Sequence, residues 1–251
     1  MAGHSKWSKV KRSKGALDVK RGQLFSKLSK EITVAAKMGG GDPDANPRLR
    51  SAILAARAQS MPNDNIERAI KRAAGEGEDA RPIEELIYEG YAPGGVALIV
   101  EVATDNKNRT AADLRLIFTK NHGHLASSGS VSYMFHRKGQ IVVPLAAAGE
   151  DRLLEIALMA GAEELTTDEE NHLITTAHDR LYAVAEAVKD AGVTAESQKL
   201  IYLPETMAPV EDESVAAQAI RLCDALEEND DVQNVYSNLD VPGEMLAKIF
   251  A

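Results

Sequence analysis

The chain changes its hydrophobic rhythm once, and that change divides what it can fold into. Leu17, Leu24, Phe25, Leu28, Ile32, Ala35 and Ala36 recur at helical spacing. Lys20, Arg21, Lys27, Lys30 and Lys37 fall mainly off that stripe, so this helix offers an apolar face to a core and a cationic face to something else. The run Gly39-Gly40-Gly41-Asp42-Pro43 ends it. Asn46-Pro47 supplies a cap and a first-turn proline for a second helix, whose stripe is Leu49, Ile53 and Ala56. A third helix begins near Pro62, buries Ile66, Ala69, Ile70 and Ala73, and stops at Gly75. Three short amphipathic helices with short connections make a small bundle. Gly75–Arg81 reads as a linker by composition.

Beyond the linker the chain alternates strands and helices. Glu89–Gly95 reads as a turn between strands, and Val96–Val102 as a strand rich in β-branched residues. Asn108 is placed to cap a helix over Arg109–Asn121, followed by a strand over Ser130–Phe135. Strand Gln140–Pro144, helix Glu150–Ala160, strands near Glu164–Thr167 and His172–Thr176, helix Leu181–Ala191 and strand Lys199–Leu203 follow the ferredoxin-like order β-α-β-β-α-β. A helix over Glu213–Glu228 and a strand over Val232–Ser237 close the chain. The strands before this block and the helix and strand after it lack partners unless they pair with each other. The expected class is therefore α+β: an N-terminal three-helix bundle followed by two α+β (ferredoxin-like) domains, one inserted in the other. The expected boundaries are 1–80, then 81–137 joined to 206–251, with 138–205 inserted.

Charge follows the same division. The net charge of −9 conceals a balance of +10 over residues 1–72 and −19 over residues 73–251. A basic module joined to an acidic body points to a nucleic-acid partner for the module. The single cysteine, Cys223, sits in an apolar helical pattern and excludes an internal disulfide, which fits a reducing cytoplasm. No stretch approaches the roughly 18 apolar residues of a membrane span.

The sequence offers little to a catalytic reading. Asp42-Pro-Asp44-Ala-Asn46 opens like a calcium loop, but Pro47 and Ile53 stand where such a loop needs glycine and glutamate. Gly39–Gly41 has no following Gly-Lys-Ser/Thr, so it is not a phosphate loop. It either turns the chain or lets backbone approach a ligand, and Gly39, Gly40, Gly41 and Asp42 form one candidate contact loop. His122 and His124 lack further metal ligands. Asn106, Asn108 and Arg109, in the polar run Asp105–Thr110, form a second candidate loop, with helix capping as the competing reading. We expect no catalytic residue, no metal, no cofactor and no small-molecule substrate.

The N-terminus carries the strongest signal. Lys6, Trp7, Lys9, Lys11, Arg12 and Lys14 lie in an acid-free, weakly periodic stretch that reads as a flexible or partner-ordered arm. Dense cations bind repeating phosphates by releasing counterions, and Trp7 can stack on an exposed base. Lys20, Arg21, Lys27, Lys30 and Arg48 extend this candidate nucleic-acid-binding set into the helices.

Met1–Trp7, Lys20-Arg21-Gly22, Phe25–Leu28, Ala35–Pro43, Asn46–Leu49, Met61–Ile70, Tyr88–Tyr91, Pro93–Gly95, Asp105–Thr110 and Gly129–Val131 resemble the YebC/PmpR family. The resemblance runs from end to end. It implies a three-helix domain followed by two α+β domains, one inserted in the other. Members of that family have been described as DNA-binding transcriptional regulators. Others, a mitochondrial relative among them, look like translation factors acting on ribosomes, in bacteria at proline-rich stall sites. The expectation is a non-enzymatic cytoplasmic regulator of gene expression that binds rRNA on the ribosome or, alternatively, promoter DNA. A monomer is favoured and no membrane is involved.

Overall fold

The structure, a computed structural model, describes residues 19–75 and 82–250, without the side chains of Val19 and Lys20. Helix α1 spans Val19–Gly39, α2 Pro47–Ala58 and α3 Asn63–Ala73. Their stripes close one core in which Ile32, Leu49 and Ala56 are fully buried, with Phe25 and Leu28 packed against it. Each large aliphatic side chain so buried contributes about 1.5–3 kcal/mol. Asn46 caps α2, its side chain accepting from the Leu49 amide at 3.1 Å. Its Nδ2 donates to the carbonyls of Ala35 and Gly40, both at 2.8 Å. One buried amide therefore ties the end of α1 to the start of α2.

The outer α+β domain opens with the hairpin β1 (Glu84–Ala92) and β2 (Val96–Thr104). Helix α4 (Lys107–Lys120), the short β3 (His124–Ala126), α7 (Glu213–Glu227) and β9 (Val232–Ser237) complete it. The sheet order is β3-β1-β2-β9, antiparallel throughout. Val96, Leu98, Val100 and Val102 alternate onto the face that packs against Leu114, Phe118, Ile220, Leu222 and Leu226 of the two helices.

The inserted domain runs β4 (Phe135–Pro144), α5 (Glu150–Met159), β5 (Ala162–Thr167), β6 (Asn171–Ala177), α6 (Leu181–Asp190) and β7 (Ser197–Pro204). Its antiparallel order β5-β6-β4-β7 is the arrangement of a ferredoxin-like unit. Strand β4 is continuous from Phe135, three residues ahead of the boundary expected at residue 138. The outer sheet differs in opening with a hairpin instead of a helical crossover.

Three local expectations are corrected, and further elements are added. Residues 89–92, expected in a turn, belong to β1, and only Pro93–Gly95 make the turn. Asn106, not Asn108, caps α4, accepting from the Arg109 amide at 3.2 Å. Either asparagine of this polar run can cap, and the one whose carbonyl also accepts from Thr110 wins. Residues Ser132–Met134 form a single 3-10 turn rather than a strand, because Val131 and Phe135 anchor both ends in the core. The edge strand β3 is three residues long, too short to leave an alternation signal. The pair β8 (Ala208–Pro209) and β10 (Leu239–Asp240) and the terminal helix α8 (Gly243–Ile249) were not expected.

Candidate nucleic-acid interface

The expected cationic residues fall into three groups. Lys6, Trp7, Lys9, Lys11, Arg12 and Lys14 lie outside the described residues, and of Lys20 only the backbone is described, within α1. Arg21 is exposed, its guanidinium 5.6 Å from the ring centre of Phe25 one helical turn on. The remaining three point the other way, into the body.

Lys27 donates to the carbonyl of Glu227 at 2.6 Å, and Gln23 to that of Glu228 at 3.2 Å. Both carbonyls end α7, where no intrahelical partner exists and the helix dipole favours a cation. Lys30 donates to the Asp230 carbonyl at 2.8 Å and to Asp231 Oδ1 at 2.6 Å. Lys37 reaches the Ile83 carbonyl at 3.2 Å. Arg48 is held by Glu31 of its own bundle and by Glu85 of β1. Burial lowers its pKa, but the two carboxylates outweigh that and leave it above the usual guanidinium value. Lys27, Lys30 and Arg48, expected in a nucleic-acid face, thus join the bundle to the outer domain and are turned toward the body. On the bundle's other flank, Gln198 of β7 donates to Ser51 at 2.6 Å and Arg50 lies 3.9 Å from Glu186.

Asp231 is the centre of this junction. Its Oδ2 accepts from Thr110 at 2.6 Å, Arg109 at 2.9 Å and Thr104 at 3.2 Å, while Lys30 takes Oδ1. Burial pushes its carboxyl up, but these donors overcome burial and hold it down at about 2. Arg109, expected in a contact loop, is therefore turned onto Asp231 and Asp105. Asn106 is a cap, and Asn108 alone of that trio stays exposed without a side-chain hydrogen bond among the described residues. A cleft of about 380 Å³ opens beside the junction, lined by Lys30, Arg72, Arg109, Asp105, Asp113 and Asp231 among others.

The glycine loop is also explained from within. A Cβ at Gly39 would meet the Asn46 side chain at under 3 Å, and Gly40 has φ +89°. Asp42 accepts from the Asp44 amide at 3.0 Å in a local turn. Gly39 therefore makes room for the buried Asn46, and a bulky residue there disturbs the bundle itself.

The structure also brings forward residues that charge counting along the chain passed over. Arg57 of α2 and Arg68 and Lys71 of α3 are exposed and form no ion pair among the described residues. They are scattered over two helices, with only Lys71 beside another cation, Arg72, so no long run announces them. The available signal was their position off the Ile53–Ala56 and Ile66–Ala69 stripes. Asp64 and Glu67 share the exposed side of α3 with them. Among the described residues no group of three or more His, Cys, Asp or Glu is arranged to hold a metal ion. No described helix is long and apolar enough to cross a membrane.

The comparisons with known proteins agree along the whole chain. Residues 5–76 match the family described as "TACO1/YebC protein N-terminal domain", and residues 83–239 match "TACO1/YebC second and third domain". A "Probable transcriptional regulatory protein" of Rubrobacter xylanophilus is 53% identical over 249 residues, 99% of each chain. One of Desulfotalea psychrophila is 51% identical over 250 residues, again 99% of each. The crystal structure of a conserved hypothetical protein from Aquifex aeolicus, 49% identical, superposes with a TM-score of 0.83 over 90% of this chain and 92% of that one. With both parts of the family matched in order and half the residues identical to relatives of the same length, the chain belongs to the TACO1/YebC family.

Proposed function

We propose that this protein is a non-enzymatic, nucleic-acid-binding regulator of gene expression whose basic N-terminal part meets RNA on the ribosome. The observation that carries the reading is the orientation of charge on the bundle. One set of its cations is consumed by the acidic body, while Arg21, Arg57, Arg68 and Lys71 remain exposed, and the sequence ahead of α1 adds further cations. Unpaired cations facing solvent gain binding free energy by displacing condensed counterions from phosphates.

Two features favour RNA over a long DNA duplex. Helix α1 is fastened along its length to the outer domain by Gln23, Lys27, Lys30 and Lys37, so that flank cannot enter a major groove. Helix α3 presents Asp64 and Glu67 toward its N-terminal end, where a recognition helix normally contacts bases. On this reading relief of stalling at proline-rich sequences is the activity. The printed names of the relatives favour a second reading, regulation of transcription at promoter DNA. Crosslinking in cells followed by sequencing of the bound nucleic acid separates the two. Enrichment of ribosomal RNA is expected, and enrichment of discrete promoter DNA would overturn the ribosomal reading in favour of the second.

A further inference from the structure

A second cationic surface lies inside the acidic body. From Leu114 to Gly149 the chain contains no Asp or Glu, although residues 73–251 carry a balance of −19. The middle of this stretch wraps the β3 edge of the outer sheet. Lys120, His122, His124, Ser127, Ser128, Ser132 and Tyr133 are all exposed there, and Arg137 is exposed further on, on β4 opposite Tyr202. Lys120 and Arg137 form no ion pair among the described residues, although Arg137 lies near enough to the Glu101 carboxylate for its charge to favour the ionised form there. His136 is set apart, standing 3.7 Å from Glu205.

The loop within this surface is held from below with unusual completeness. Glu89, 4% exposed, points its carboxylate at the loop and accepts the amides of Gly129 at 2.7 Å, Val131 at 2.6 Å and Ser132 at 2.9 Å. Burial raises its carboxyl pKa, but the three amides outweigh burial and keep it below the ordinary value. Gly129 turns the chain at φ +87°. Tyr91 donates to the Ser130 carbonyl at 3.0 Å and stacks on His124 at 5.2 Å, which sets β3 beside the loop. Val131 and Phe135 are anchored in the core between the two sheets. Between those anchors, on a 3-10 turn, Tyr133 stands 72% exposed.

A loop fixed this firmly that leaves a large aromatic in water is not packing its own core. Its rigidity removes the ordering cost of a later contact. We propose that the Ser127–Arg137 surface is a second nucleic-acid contact, taking an unpaired strand with Tyr133 stacked on a base and Lys120 and Arg137 on its phosphates. Bases in a duplex are already stacked, so an outward aromatic among cations selects a strand whose bases are free. Serine hydroxyls and loop amides supply further donors to phosphate or sugar. This inference rests on the nucleic-acid reading above but uses none of the same residues.

The test is fluorescence anisotropy of the full-length protein with three labelled probes: a mixed-sequence single-stranded RNA of about 16 nucleotides, the matching single-stranded DNA, and the DNA duplex. Tyr133→Ala is expected to weaken binding of an unpaired strand about 5- to 100-fold, with Tyr133→Phe restoring it and the duplex little changed. A greater loss on RNA than on DNA identifies the ribose hydroxyl as part of the contact, and equal losses identify base and phosphate alone. Arg137→Glu weakens every unpaired probe. If Tyr133→Ala and Arg137→Glu bind the single strands as tightly as wild type, while reversing Arg57, Arg68 and Lys71 abolishes binding, the second contact is refuted and the basic bundle stands. If the wild-type protein retains none of the probes, both readings fall.

Discussion

The N-terminal bundle carries two sets of cations that look alike in the sequence and do different things in the structure. Lys27, Lys30, Lys37 and Arg48 are spent on backbone carbonyls and carboxylates of the outer domain or the bundle itself. Arg57, Arg68 and Lys71 face solvent and form no ion pair among the described residues. The contrast teaches that a basic segment next to an acidic one is partly its own counter-ion. Only the surplus left after docking is available to phosphate. The two sets separate by experiment, because the first should govern stability and the second binding.

The largest effect on stability belongs to Asp231, which is 5% exposed and serves four donors. Asp231→Ala removes the shared carboxylate from Lys30, Arg109 and two threonines and is expected to cost about 3–5 kcal/mol, read from urea unfolding. A result within 1 kcal/mol of wild type would break the assignment of this junction as the main fastening. Acid should act on the same group. Its folded pKa of about 2 lies below the model-peptide value of 3.8, so its contribution is present above pH about 4 and is lost as pH falls toward 2. That difference corresponds to about 2 kcal/mol. Asp231→Asn should remove that part of the acid dependence, and an unchanged acid limb would assign it to other carboxylates. Arg48→Ala comes next, at about 1 kcal/mol, since its carboxylate partners are partly exposed. Reversing Arg57, Arg68 and Lys71 to Glu should change stability least, by under about 0.5 kcal/mol.

What could be read from the sequence was local. Asn46 with Pro47, the glycine at residue 75 and the β-branched run Val96–Val102 each specify their element within a few residues, and the structure has a helix start, a helix stop and a strand there. The ferredoxin-like order of the insertion was legible because alternating strand and helix rhythms leave few ways to pair. The docking of the bundle was not, since Lys30 and Asp231 stand 201 residues apart and nothing between them marks the pairing. Charge gives the sign of a face and not its partner, so the sequence does not show that Lys27, Lys30 and Arg48 meet carbonyls and carboxylates of the chain itself. Glu89 left a trace that was passed over: strand alternation puts it in phase with Ile87 and Tyr91, on the sheet face turned away from the helices. A carboxylate at such a position needs donors, and here the loop at 129–132 supplies them.

Docked and outward cations divide the bundle, and one titration tests that division. The salt dependence of binding to single-stranded RNA should be compared between wild type, Arg57→Glu/Arg68→Glu/Lys71→Glu and Arg48→Ala. The triple variant should remain folded and lose affinity, with the slope of log affinity against log salt shallower by about 2 for the three phosphate contacts removed. Arg48→Ala should keep the wild-type slope while unfolding more readily. The same slope for the triple variant as for wild type, or a shallower one for Arg48→Ala, would contradict the division.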